Sequence, residues 1–218
     1  MTHNSVRLVA AIAIALCSAA AYSTPLPVDA TTINVDTIAA LSGATLVASE
    51  SSNINNLSYN GIARAAVYST STGLDFLYQF TNNASAVNGL ERLTAYNFSP
   101  VGATTVLNVF QTAAAFGIFT AGADAANTAD RTSLGVIGFN FSPGGNAKIN
   151  PGTTSFTEII ATNATTYVAG NFGLLDGIGD NAQAYAPAAS VPEPGTYLLM
   201  LLGVGALLWA RRQPDAAI

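Results

Sequence analysis

Leu74, Phe76, Tyr78 and Phe80 alternate with Asp75, Leu77, Gln79 and Thr81. A period of two puts the four large apolar side chains on one face of an extended strand, where a helix would scatter them. Asn82 and Asn83 then break the run. Comparable runs, bounded by turn residues, recur at 33–41, 44–49, 61–69, 90–98, 104–110, 134–141, 155–161 and 167–175. Pro143-Gly144-Gly145-Asn146 and Asn150-Pro151-Gly152 read as loops, because they supply fixed and positive φ together. Many short strands at this spacing predict an all-β domain. The expected architecture is a single antiparallel β-sandwich, jelly-roll or immunoglobulin-like, with a closed barrel as the alternative. Residues 112–129 are rich in alanine and are expected to form a short helix, although Gly117 and Gly122 weaken it.

Both ends of the chain differ from this body. Arg7 is followed by an apolar block, residues 8–17, and then by Ser18 and three alanines, Ala19 to Ala21. A positive start, an apolar stretch and a small-residue site make a secretory signal peptide, residues 1–21. The block is shorter than the ~20 residues of a spanning helix. At the other end, Val191-Pro192-Glu193-Pro194 precedes an uncharged stretch, residues 195–210, and then Arg211 and Arg212. The two prolines hold the preceding residues extended and present Glu193 on a stiff strand. The stretch at about 195–210 reads as a transmembrane helix, and the two arginines hold its end on the cytoplasmic side. The resulting organisation is a signal peptide (1–21), an exported β-domain (24–181), a small-residue linker (182–190) and a C-terminal segment (191–218).

The order of tag, apolar helix and basic stop resembles the PEP-CTERM sorting domain of exported bacterial proteins. The resemblance implies that Val191, Pro192, Glu193, Pro194, Arg211 and Arg212 form a sorting signal. It further implies an exosortase-type membrane protease as partner, acting on proteins of biofilm and exopolysaccharide producers. The body is also similar to such proteins at residues 74–83, 136–141, 149–155, 160–167 and 175–177. They look like single β-sandwich domains of unassigned function.

Composition excludes several kinds of chemistry. The one histidine, His3, and the one cysteine, Cys17, both fall in the expected signal peptide. The exported chain would then hold no disulfide, no thiolate or imidazole zinc site and no histidine-based triad. Between residues 24 and 190 only Arg64, Arg92, Arg131 and Lys148 stand against ten acids. A surface so poor in cations does not engage nucleic acid through its phosphates.

Within the body, Asp176-Gly177-Ile178-Gly179-Asp180 sets two carboxylates in a glycine-rich turn. Asp176 and Asp180 are therefore weak calcium candidates, against the plainer reading of a β-turn with solvated acids. No cofactor is expected. Asp124 and Asp130 lack any motif that marks a carboxylate pair for glycoside hydrolysis. Tyr59, Tyr68, Tyr78 and Tyr96 are a conceivable sugar-stacking surface, with burial in the core as the competing reading.

The functional expectation is a non-enzymatic exported protein. It would be held briefly in the inner membrane, then delivered to the cell surface or beyond, with a structural or adhesive role and extracellular polysaccharide as a possible contact. The rivals are a secreted carboxylate-dependent enzyme acting on polysaccharide and a plain single-pass anchored protein.

Overall fold

A computed structural model of the chain describes residues 24–99, 107–142, 148–188 and residue 200. Among the described residues thirteen strands run in order: β1 (Thr24–Leu26), β2 (Ile33–Asn34), β3 (Asp36–Thr37), β4 (Thr45–Asn55), β5 (Asn60–Ser69), β6 (Leu74–Asn82), β7 (Arg92–Ala95), β8 (Leu107–Thr112), β9 (Thr128–Arg131), β10 (Ile137–Asn140), β11 (Thr157–Ala161), β12 (Tyr167–Asp176) and β13 (Ile178–Pro187). They form two sheets. The first has the order β1-β8-β11-β6-β5-β4, with β3 added beside β8; the second has the order β13-β12-β7-β10-β9-β2. All pairings are antiparallel except β3 with β8. The chain is thus all-β within the described residues from 24 to 188, as its alternating pattern predicts.

The inner faces of the two sheets share one core. Phe76, Tyr78 and Phe80 come from the first sheet; Leu93, Phe139, Phe172 and Leu174 come from the second. Tyr78 meets Phe172 across the gap with ring centroids 5.3 Å apart, and Phe76 meets Phe98 edge-on at 5.4 Å. Offset and edge contacts of this kind add to the burial of large aromatic surfaces.

β6 is buried on its second face as well. There Leu77 joins Tyr68, Phe110, Phe119 and Ile159 in a smaller cluster. Phe116, Ile118 and Phe119 pack on this face, and the Gln79 amide ties their segment down. Its Nε2 donates to Thr120 O at 2.7 Å and to Ser155 O at 3.2 Å, while Thr120 N donates to Gln79 Oε1 at 3.0 Å. The helix expected at 112–129 is not present. Its backbone is committed elsewhere: Ala123 N and Asp124 N donate to Thr154 O, and Ala126 N donates to Gln111 Oε1. Groups used in this way cannot also form an i→i−4 ladder.

The expected linker needs a second correction. Residues 182–187 are the second half of β13, paired with β12 from Ala182↔Phe172 to Pro187↔Tyr167. Ala182, Ala184 and Ala186 are buried. They are small because they fill the core beside Phe172, and the domain extends through them. The edge of β13 lies against β4 of the other sheet: Gln183 N donates to Ser52 Oγ at 3.3 Å and Tyr78 Oη to Tyr185 O at 2.8 Å. Side chains thereby occupy backbone groups that an open edge would leave free.

Among the described residues two acids are buried without ordinary partners. Glu158 is fully buried on the inner face, opposite Tyr78 and Gln111. Burial raises its carboxyl well above the usual range, and the Ala126 amide, already committed to Gln111, offsets this only in part. Asp75 is 4% exposed on the outer face, with Oδ1 unpaired. Burial pushes its carboxyl up to about 7.

Candidate functional site

The tip of the β12–β13 hairpin carries both calcium candidates. Asp176 Oδ1 accepts from Lys148 Nζ at 2.9 Å, and Oδ2 accepts from Ser58 Oγ at 2.6 Å. Lys148 also pairs with Glu91 at 2.7 Å, and the two carboxylates raise the lysine's pKa. Asp180 accepts from Asn56 Nδ2 at 3.5 Å and from Asn181 N at 2.8 Å. The two aspartates therefore serve different partners. Asp176 ties the hairpin to the loop at Ser58 and to Lys148, and Asp180 reaches Asn56. Among the described residues no three His, Cys, Asp or Glu side chains gather where they could hold a metal ion. Beneath the tip, Tyr59 donates its phenol proton to Leu174 O at 2.7 Å. Burial foremost, and the charges of Asp180 and Asp176, push the Tyr59 phenol up to about 12.

Asp130 lies on the outer face of the second sheet. Arg92 grips it with two bonds, Nη1–Oδ2 at 2.5 Å and Nη2–Oδ1 at 2.8 Å. Asn140 Nδ2 adds a third bond at 2.8 Å and its Oδ1 accepts from the same guanidinium. Burial works to raise the Asp130 pKa, but the bonds from Arg92 and Asn140 and the guanidinium charge prevail, so the carboxyl lies below its ordinary value. The register explains how Arg92 reaches it. Gly138 stands between Thr94 on one neighbouring strand and Asp130 on the other. A Cβ at 138 would fall 1.8 Å from Arg92 Nη2, so only glycine leaves the guanidinium its path. Asp124 is engaged separately, accepting from the Thr153 hydroxyl.

The four tyrosines divide. Tyr59, Tyr68 and Tyr78 are buried. Tyr96 alone is partly exposed, on the same outer face as Arg92, with its phenol end over Gly173: a Cβ there would meet Tyr96 Oη at 2.4 Å. Farther along this face a groove of about 380 Å³ is lined by Glu50, Asn171, Gln183 and Tyr185, over a small-residue stretch at Ala169, Gly170 and Ala184. Tyr167 packs edge-on against Tyr185 at 5.5 Å. Sequence reasoning did not single out Asn171, Gln183, Tyr167 or Tyr185. The usable signal was the alternation of Ala182, Ala184 and Ala186 with Asn181, Gln183 and Tyr185, which marks a strand with one polar face.

Val191, Pro192, Glu193, Pro194, Arg211 and Arg212 lie outside the described residues, as does the expected signal peptide. The helix expected at about 195–210 also lies outside them, apart from Met200. Among the described residues no helix is long and apolar enough to cross a membrane.

The PEP-CTERM protein-sorting motif matches residues 190–213, a stretch that includes all six expected signal residues. The chain carries this sorting domain, which implies export and sorting by an exosortase, a membrane protease. No curated protein matches the chain. No solved structure matches it either.

Proposed function

We propose that the chain is a non-catalytic surface or matrix protein. Its two-sheet body, read as one sandwich of jelly-roll or immunoglobulin-like class, is the delivered cargo. The C-terminal segment is its route: residues 195–210 rest in the inner membrane, Arg211 and Arg212 keep their end cytoplasmic, and exosortase acts near Pro192-Glu193-Pro194. The body then serves a structural or adhesive role outside the cell. The sorting motif at 190–213 is the observation that carries this reading.

The state of the body's polar groups supports a passive role. Asp130 is neutralised by Arg92, and Asp176 by Lys148. A carboxylate gripped by a bidentate arginine and held below its ordinary pKa is a poor proton donor at neutral pH.

The test follows size and location in the native host. Glu193→Ala and a deletion of Arg211-Arg212 are each compared with the parent chain by immunoblot of membrane, surface and medium fractions. Processing predicts a longer, membrane-retained species for both variants. Identical size and distribution would reduce the protein to a simple anchored one.

A further inference from the structure

We propose that the outer face of the second sheet binds an uncharged polysaccharide, with Tyr96 and Tyr185 as stacking surfaces and the Asn171 and Gln183 amides as hydrogen-bonding groups. This rests on the adhesive reading above and assigns it a surface.

The two outer faces of the domain differ. Phe116, Ile118 and Phe119, with the apolar cluster around Leu77, cover the first around β6. On the second, the outward positions Ala169, Asn171, Asn181 and Gln183 are all exposed. Asn171 and Gln183 sit directly opposite one another across the β12–β13 ladder. Among the described residues neither side-chain amide has a hydrogen-bond partner in the protein. Each amide offers both a donor and an acceptor, which is what a row of sugar hydroxyls requires. Beside them, Tyr185 forms one wall of the groove and is braced by Tyr167. A braced ring loses little freedom on binding, and a phenol combines an apolar face with a polar tip. Tyr96 lies farther along the same face, over Gly173. The groove's volume of about 380 Å³ falls at the small end for ligand sites.

Charge selects the class of polymer. Arg92 is committed to Asp130 and Lys148 to Glu91 and Asp176. Arg64 bonds Thr81, and Arg131 is buried. The groove itself contains Glu50, and the chain carries a net charge of −5. Such a surface repels uronates and sulfated sugars and leaves neutral ones unaffected. A protein partner would want an apolar centre, whereas the groove is lined by Glu50, Asn171, Gln183, Tyr185 and small residues.

The test is affinity electrophoresis of the full chain in mild detergent, through gels containing dextran, galactomannan, xyloglucan, mixed-linkage glucan or alginate. The wild type should be retarded by at least one neutral polymer and not by alginate. Tyr185→Ala, Asn171→Ala and Gln183→Ala should each weaken that retardation at least tenfold in apparent affinity. Tyr185→Phe and the distant Asn163→Ala should retain it. Asn171 and Gln183 are exposed and unpartnered, so their variants keep the test decisive if Tyr185→Ala fails to fold. Absence of retardation by every neutral polymer, stronger retardation by alginate, or unchanged binding by the two amide variants would overturn the proposal. Sorting is scored separately by chain size and location, so normal processing with no binding removes this inference and leaves that reading intact.

Discussion

Asp75→Asn is expected to change how stability depends on pH. Asp75 faces outward from β6, opposite Tyr68 on β5 and Ala161 on β11. The carboxyl is 4% exposed, with its pKa pushed from 3.8 to about 7 by burial. The folded chain therefore holds this proton over an interval in which the unfolded chain has released it. A raised folded pKa contributes stability that is fully present below about 3.8 and is lost as pH rises through about 7. The loss runs at about 1.4 kcal/mol per pH unit, so over this interval it sums to about 4 kcal/mol. Asparagine has nearly the same shape and no proton to release. Its amide must also be accommodated in the same buried space, which lowers its stability by a pH-independent amount of about 1–3 kcal/mol. The assay is urea unfolding of parent and variant from pH 4 to pH 8. The difference between them should shift by about 4 kcal/mol in favour of the variant across that range, levelling above about pH 7. Glu158 has the same sign of dependence but is common to both chains, so it cancels. Parallel stability curves would show that Asp75 titrates normally and that its burial is not maintained in solution.

Gln79→Leu should cost about 2–4 kcal/mol, because it leaves the Thr120 amide and the Thr120 and Ser155 carbonyls without their partner. Hydrogen exchange at the Thr120 amide should accelerate more than exchange within β12, and equal changes at both would contradict the role given to Gln79. Gly138→Val should displace the Arg92 guanidinium from Asp130 and lower the unfolding midpoint, at a cost of about 1–3 kcal/mol. An unchanged melting temperature would mean that Arg92 has another route to Asp130.

The strand pattern was legible because period two is local. The aromatic stripe of Leu74, Phe76, Tyr78 and Phe80 is the inner face of β6, and the runs at 61–69 and 167–175 match β5 and β12 within a residue or so. The alternate positions of β6 were less legible. Asp75 and Gln79 have the pattern of solvent-facing residues, yet both are buried. What covers Gln79 is a segment more than thirty residues away, joined to it through Thr120, and its own sequence resembles a weak helix. Alanine content records helix propensity, whereas the fold of 113–127 is set by hydrogen bonds to Gln79, Gln111 and Thr154. The hairpin acids show the same limit. Their turn was readable from the glycines, but the lysine that neutralises Asp176 arrives from 28 positions earlier. The alanines at 182–186 gave a clear alternating signal; their small size suggested a linker, while their spacing marked a strand.

The direction of β13 sets which end of the domain adjoins the sorting motif. The strand begins at the Asp176–Lys148 tie and ends at Pro187, opposite Tyr167. Ten residues at about 3.3 Å each separate these ends by roughly 30 Å. The sorting motif begins at residue 190, and three residues span at most about 10 Å. The Tyr167 end of the domain is therefore tethered close to the sorting segment, and the Asp176 end points away from it.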